Sequence, residues 1–202
     1  MLANEKKVAS DGKEVMLFPC EAMYLTPSRN PPEHDVLALD FLPRSITGTE
    51  ISPMNVYAPF SGTIVYTGND HNCILESDDV VHTPSGLQKM RVLVAHSWTQ
   101  PIKNKHYNQG DLFYQTGNYG YSFGEHLHME IAIANGSYWN SDGVGLNNAI
   151  HMWLGMYVDN TVLLRTGDFD WQNFGETPQP EEKKKRFPWV IYARKIRNKT
   201  YY

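Results

Sequence analysis

The amino-acid sequence predicts a mainly β domain with a C-terminal helical appendage, and three observations carry that prediction. Between residues 14 and 134 the apolar residues form short runs rich in Val, Ile, Leu and Met, separated by turn-forming residues. Residues 56–68 alternate in character on both sides of a turn at Ser61 and Gly62, as paired strands do. After residue 135 the spacing of apolar residues changes to three and four, which is typical of an amphipathic helix.

The strands follow the chain in order. Residues 1–13 are polar, and a first strand is predicted to begin near Glu14. The remaining strands are predicted at residues 36–41, on either side of the turn in 56–68, and at 73–76, 89–96 and 126–133.

Four parts are predicted along the chain. Residues 1–30 form an N-terminal segment and first strand, and residues 31–135 form the functional domain. Residues 136–175 form the appendage, whose helix is expected at 146–158. Residues 176–202 form a linker and a basic tail, in which residues 187–196 add a strand or contact a partner.

Composition excludes several classes of protein. With 202 residues, 41% hydrophobic and 20% charged, the chain resembles neither a collagen-like nor a charge-rich disordered protein. No apolar stretch reaches the length of a membrane span, so no membrane partner is expected. A net charge of −4 gives no overall attraction for nucleic acid, and the basic run at 183–186 is interpreted as a solvated tail. Cys20 and Cys73 form no metal-type pair and are predicted to be buried thiols.

Three histidine-containing segments suggest chemistry. His126 and His128 are two positions apart, so in a strand their imidazoles project from the same face. His34 and Asp40 are six positions apart, an even offset that also places both on one face of an extended segment. His96 ends an apolar strand. Taken singly, each is also compatible with a hydrogen-bonded or surface residue.

Together these segments resemble the lysostaphin/LytM-type zinc endopeptidases. The segment from His34 to Asp40 resembles the first motif of that family, and residues 56–65 resemble its strand-turn-strand with a Pro-x-x-Gly core. His96 resembles the family's lone strand histidine, and residues 109–128 resemble its glycine-punctuated approach to His-Leu-His. The resemblance covers about half of the chain. The chain differs from the family at the first motif. The family often has the aspartate four positions after the histidine, whereas Asp40 is six positions after His34. Asp35 is a nearer alternative but would lie on the opposite face.

The resemblance implies a fold and a site. The fold is an antiparallel β-sheet with a groove. His34, Asp40 and His128 would bind Zn²⁺ and leave one coordination position for water, while His96 and His126 would share the roles of general base and acid. Tyr24 is the candidate for an additional oxyanion-stabilising tyrosine. Gly117, Gly120 and Gly124 are expected to shape a loop along the groove, and Trp98, Tyr119, Tyr121 and Phe123 to line it.

The implied activity is hydrolysis of peptide bonds in bacterial peptidoglycan, in cross-links or stems. The alternative is a noncatalytic wall-binding or structural tip protein of the same fold. Because no signal peptide or separate wall-binding module is recognised, a bacteriophage enzyme is expected, either carried on the virion or released from the host cytoplasm. Virion proteins are then possible partners of the C-terminal tail.

Overall fold

The structure is a computed structural model that describes residues 3–21, 38–45, 47–83 and 86–134. These ranges contain ten strands and no helix. The strands are β1 (Ala38–Phe41), β2 (Asn55–Tyr57), β3 (Gly62–Thr67), β4 (Cys73–Ser77), β5 (Val81–Thr83), β6 (Gly86–Gln88), β7 (Met90–Ala95), β8 (His106–Tyr107), β9 (Leu112–Gln115) and β10 (Leu127–Ile133).

Six strands form one sheet in the order β1-β10-β7-β4-β3-β8, and every neighbouring pair is antiparallel. β2 pairs with β9, and β5 pairs with β6, in two small antiparallel sheets. The predicted mainly β, antiparallel class is therefore confirmed. The two strands predicted within residues 56–68 are present as β2 and β3, but they lie in different sheets.

The two faces of the large sheet differ in character because successive side chains of a strand point to opposite sides. One face supplies the main apolar core, which includes Phe41, Leu75, Val92, Val94 and Met129. The opposite face carries a smaller apolar group of Ile74, Leu93 and Ala132, with Val65 and Tyr66 packed against it. The polar residues of β1 and β10 belong to this second face, so it is the face on which a site can form.

The first strand, predicted to begin near Glu14, is not present as a regular strand. Glu14 and Val15 make only isolated bridges, to Val8 and to His82 respectively, although residues 15–18 are buried as expected of an inner segment. The segment lies along the domain because Gln109, which is fully buried, donates from its amide nitrogen to the carbonyl oxygens of Val15 and Pro59. The backbone of this segment also exchanges hydrogen bonds with His82 of β5, so its polar groups are satisfied partly by a strand and partly by a side chain.

Two further expectations can be compared with the described residues. Cys20 and Cys73 are buried free thiols, as predicted. The expected helix at 146–158, the linker and the basic tail lie outside the described ranges. Among the residues that the structure describes, no helix is long and apolar enough to cross a membrane.

Candidate active site

Strand register brings residues from distant parts of the chain into one row. Asp40 of β1 lies directly opposite His128 of β10, and His128 lies directly opposite Ala95 of β7. Residues that are direct partners across antiparallel strands have Cα atoms about 4.5 to 5.5 Å apart, within reach of side-chain contact. His96 follows Ala95 at the end of β7. One row therefore unites segments that are separated by up to 88 positions in sequence.

The side chains of this row meet around one carboxylate. Oδ1 of Asp40 lies 3.2 Å from Nδ1 of His128 and 3.5 Å from Nε2 of His126. The Asp40 side chain is 7% exposed, and those of His126 and His128 are 14% and 15% exposed. The two histidines of the His-Leu-His segment thus face the same side of the sheet, as their spacing predicts.

His96 completes the group from the end of β7. Its ring centroid lies 4.9 Å from that of His126 and 5.8 Å from that of His128. Its backbone has φ of 78°, in the left-handed region that a residue with a side chain seldom adopts. The conformation is held on both sides, because the His96 amide donates to the carbonyl of Asp70 and the Tyr119 amide donates to the carbonyl of His96. Such strain at a cluster of reactive side chains is typical of functional sites.

Backbone carbonyls set the protonation pattern of two of the rings. Nδ1 of His96 lies 2.9 Å from the carbonyl oxygen of Tyr119, and Nδ1 of His126 lies 2.7 Å from that of Gly124. A carbonyl oxygen can only accept, so each Nδ1 carries the hydrogen. When the rings are neutral, each Nε2 keeps its lone pair. Burial lowers the pKa of His96, an effect that favours the neutral ring.

His128 has a different electrostatic environment. Its Nδ1 faces Asp40, and its Nε2 lies 3.1 Å from Oε1 of Glu130. Burial on its own lowers the pKa of His128, but the hydrogen bonds to Asp40 and Glu130 outweigh it and raise the pKa to about 9. Without a metal, this environment therefore favours the protonated form of the His128 ring. A metal ion at Nδ1 has to displace a proton, as is usual for histidine ligands.

The donor set around Asp40 fits part of a zinc site. Zinc lies about 2.0 to 2.2 Å from its nitrogen and oxygen ligands, so two ligand atoms of a tetrahedral site are roughly 3.3 to 3.5 Å apart. The distances from Asp40 to His128 and His126 are of this size. Within the described ranges, no group of three or more His, Cys, Asp or Glu residues has an arrangement that could hold a metal ion. His34, the third predicted ligand, lies outside those ranges, as does Tyr24.

The loop between β9 and β10 presses against this cluster. Gly117 packs so closely on the end of β7 that an added Cβ would lie 2.4 Å from the carbonyl oxygen of His96. Gly120 and Gly124 have φ of 78° and 150°, a region in which glycine is the favoured residue. At Gly117 the requirement is close approach, which spacing in the sequence does not reveal.

We expect Gly117→Ala to reduce activity at least tenfold, although it removes no reactive atom. The new methyl group must displace the backbone of His96, and such overpacking typically costs about 1 to 3 kcal/mol of stability. Misplacing the ring by a fraction of an ångström also lowers the rate. The measurements are the midpoint of thermal unfolding and, for the activity that the sequence resemblance implies, kcat/KM on purified peptidoglycan.

Gly12→Ala is the matched control for this prediction. Gly12 has φ of 81° but open space where its Cβ would lie, so the change strains the backbone without touching the site. It should lower stability by about 1 kcal/mol and leave kcat/KM unchanged. Equal activities of the Gly117 and Gly12 variants would contradict the role of the loop.

The aromatic residues expected along the groove lie on or beside this loop. Tyr119 stacks on the ring of His71 with centroids 3.6 Å apart, and its carbonyl holds His96. Tyr121 and Phe123 are 79% and 70% exposed and contact each other edge to face. Trp98 is also exposed, two residues beyond His96. An exposed aromatic rim next to buried histidines can contact a ligand.

Two residues near the site have no counterpart in the sequence prediction. His71, which matched no motif, donates from Nδ1 to the carbonyl of Ser97 and stacks beneath the loop, and no sequence signal indicates this. Glu130 shares the face of His128, and its spacing of two residues is a signal that was available. His82 and His106 lie within hydrogen-bond distance of aspartates, and His151 lies outside the described ranges.

Glu125 directly precedes His126, and its side chain is held by two hydrogen bonds. Its carboxylate accepts hydrogen bonds from the hydroxyl groups of Ser52 and Thr116. Thr116 in turn accepts a hydrogen bond from the amide of Met54. These contacts connect the start of β10 to the segment before β2 and so position His126 from outside the sheet.

Comparison with solved structures places this fold near several peptidases. The catalytic domain of the antimicrobial peptidase lysostaphin from Staphylococcus simulans is 21% identical, with a TM-score of 0.38 over 58% of this chain and 80% of that domain. A zinc-containing peptidase from Vibrio cholerae is 17% identical, with a TM-score of 0.39 over 63% of this chain and 43% of its own.

A third similar structure is the catalytic domain of the prophage-encoded M23 protein EnpA from Enterococcus faecalis. It is 13% identical, with a TM-score of 0.38 over 72% of this chain and 95% of that domain. No protein-family model matches the sequence, and a comparison with curated proteins found no significant match. All three of these similar structures are described as peptidases or as an M23 protein.

Proposed function

We propose that this protein is a zinc-dependent endopeptidase that hydrolyses peptide bonds of bacterial peptidoglycan. The observation that carries the proposal is the convergence of Asp40, His96, His126 and His128 on one face of the sheet, around a single carboxylate oxygen. Three segments that suggested chemistry separately in the sequence come together in space. A chance arrangement of surface histidines does not require this, whereas a hydrolytic centre does.

In this proposal, Asp40 and His128 hold the metal together with His34. Zinc in a three-ligand site acts as a Lewis acid and lowers the pKa of bound water to about 7. Nδ1 of His128 lies 3.2 Å from Oδ1 of Asp40, a separation that suits two ligands of one zinc ion. One carboxylate and two neutral imidazoles would leave the site with a net charge near +1, so a bound zinc ion would still be able to polarise a peptide carbonyl.

His126 and His96 act on protons and developing charge. Each presents an Nε2 lone pair when neutral, because its Nδ1–H is bound to a backbone carbonyl. One ring is suited to accept a proton from the attacking water. The other, once protonated, is suited to donate to the oxyanion or to the leaving amine. Because the two rings share this bonding pattern, the geometry supports both assignments of base and acid.

The substrate class rests on the sequence resemblance to lysostaphin/LytM-type enzymes and on the exposed rim. Tyr121 and Phe123 are large, exposed and adjacent to the loop that holds His96 and His126. Aromatic faces of this kind can stack on sugar rings and on the apolar faces of peptides. Bacteriophage origin and virion partners stay predictions of the sequence.

The test is a combined metal and digestion assay on the purified, zinc-replete chain. We expect about one zinc per chain and release of new amino groups from cell walls. Walls with glycine bridges and walls with direct diaminopimelate cross-links should be digested side by side, and the fragments weighed to identify the bond that is cut. Protein that binds zinc but releases no amine from either wall would favour the noncatalytic wall-binding alternative. Protein that binds no zinc would refute the proposal.

A further inference from the structure

Glu130 lies next to the candidate metal ligands without being one of them. It is on β10, two residues after His128, and therefore projects from the same face of the sheet. The residue is 4% exposed. Its Oε1 lies 3.1 Å from Nε2 of His128, while the other ring nitrogen of His128 lies 3.2 Å from Asp40.

The chemistry of this contact restricts which nitrogen of His128 can bind a metal. A neutral imidazole carries one N–H and one lone pair, and a carboxylate only accepts hydrogen bonds. With the hydrogen on Nε2 directed at Glu130, the lone pair is on Nδ1 and faces Asp40. If the acceptor at Oε1 were absent, neither tautomer would be favoured by this contact and the ring would lose one of its two anchors.

Glu130 lies beside apolar residues of this face. Leu93 lies directly opposite it on β7, and Leu93 belongs to the small apolar group of this face with Ala132, two residues beyond Glu130. A buried carboxylate next to apolar side chains is unfavourable unless it is paired or hydrogen-bonded. The contact with Nε2 of His128, on the side of the ring opposite to Asp40, is one such hydrogen bond.

We propose that Glu130 is a positioning residue for the metal centre: it accepts the Nε2–H of His128, selects that tautomer and directs Nδ1 toward the ion beside Asp40. This inference rests on the proposed zinc-dependent function and deepens it. Outer partners of histidine ligands that orient the ring typically change metal affinity by about 10- to 100-fold.

The experiment measures zinc affinity directly, by competition with a chromophoric chelator, for the wild-type chain and for Glu130→Ala and Glu130→Gln. We expect zinc to bind about 10- to 100-fold more weakly to Glu130→Ala. Glu130→Gln should lose less, because its amide oxygen still accepts the hydrogen bond. It also serves as the second variant if the alanine variant does not fold.

Glu76→Gln is the matched control. Glu76 lies on β4 and pairs with Arg91, on the same face of the sheet as Glu130 by strand alternation, so the control removes the same charge from the same face. Its zinc affinity should equal that of the wild-type chain. A loss equal to that of Glu130→Gln would show that the effect is one of net charge and would overturn the proposal.

A second readout follows the ring itself. Long-range ¹H–¹⁵N correlation spectra of the zinc-loaded chain should show His128 protonated at Nε2 and metal-bound at Nδ1. The reverse pattern would overturn the proposal, as would a zinc affinity of Glu130→Ala within twofold of the wild-type value. Absence of zinc binding by the wild-type chain would instead refute the proposed function itself, so the two failures are distinguishable.

Discussion

Replacing His126 by alanine should lower kcat by about 10²- to 10⁴-fold while about one zinc per chain is retained, whereas His128→Ala should lose both activity and zinc. General acid or base groups contribute rate factors of that size. His128 is instead proposed as a metal ligand, so its replacement should remove the zinc ion on which the reaction depends. The measurements are kcat on solubilised peptidoglycan and zinc content after exhaustive dialysis.

This pair of variants is informative because the geometry alone does not separate the two histidines. Nε2 of His126 is 3.5 Å from the same Asp40 oxygen that lies 3.2 Å from Nδ1 of His128. His128 differs in having both ring nitrogens next to carboxylates, while Nδ1 of His126 donates to the carbonyl of Gly124.

His106→Ala is the control for these two variants. His106 is exposed and is paired with Asp78 at 2.6 Å, so its removal deletes an imidazole from an ion pair outside the proposed site. Its activity and zinc content should equal those of the wild-type chain. If His126→Ala and His128→Ala lose zinc to the same extent, His126 is a ligand and its assignment as acid or base is wrong.

Asp40→Asn should weaken zinc binding by more than about 100-fold and reduce hydrolysis to background. Loss of an outer partner of a ligand costs about 10- to 100-fold, so loss of a ligand at the centre of the cluster should exceed that range. The amide has nearly the shape of the carboxylate, which means that packing of the buried row is preserved. The measurements are chelator competition for zinc and release of amino groups from cell walls.

Asp78→Asn is the matched control, because it also changes the aspartate of an Asp–His pair. The side chains of that pair are 47% and 48% exposed, whereas the Asp40 side chain is 7% exposed. Exposed pairs contribute little, so we expect no change in zinc affinity and less than about 1 kcal/mol in stability. Retention of wild-type zinc affinity by Asp40→Asn would remove Asp40 from the metal site and with it the proposed hydrolytic mechanism.

Local patterns in the sequence predicted much of the sheet. The apolar runs at 73–76, 89–96 and 126–133 correspond closely to β4, β7 and β10, because strands that are buried on both faces consist largely of apolar residues. The strands β5, β6, β8 and β9 were not predicted. They have two to four residues each, so they contain few side chains to show a period, and their pairing is decided by their neighbours.

Near Glu14 the opposite occurred, because the sequence predicted a strand that the structure does not contain. The apolar run has the composition of a strand, yet the chain makes only isolated bridges there. Burial and backbone pairing are separate requirements. The run is buried because it packs on the core, and part of its backbone hydrogen bonding is supplied by the side chain of Gln109.

What the sequence alone determined is which of the candidate residues share a face of a strand. Spacing of two residues places His126 and His128 on one side of β10, because the side-chain period of a strand is two wherever the strand sits. The same rule makes Glu130 their neighbour. These statements need no knowledge of the fold.

The tertiary structure decided which strands are neighbours and in what register. β1 and β10 are far apart in sequence, and a shift of one residue in their pairing would turn Asp40 to the apolar core and away from His128. Register depends on how the apolar faces of all six strands fill one core, which is a property of the whole sheet. The loop contact of Gly117 with His96 arises in the same way, since close approach of two backbones leaves no trace in either segment alone.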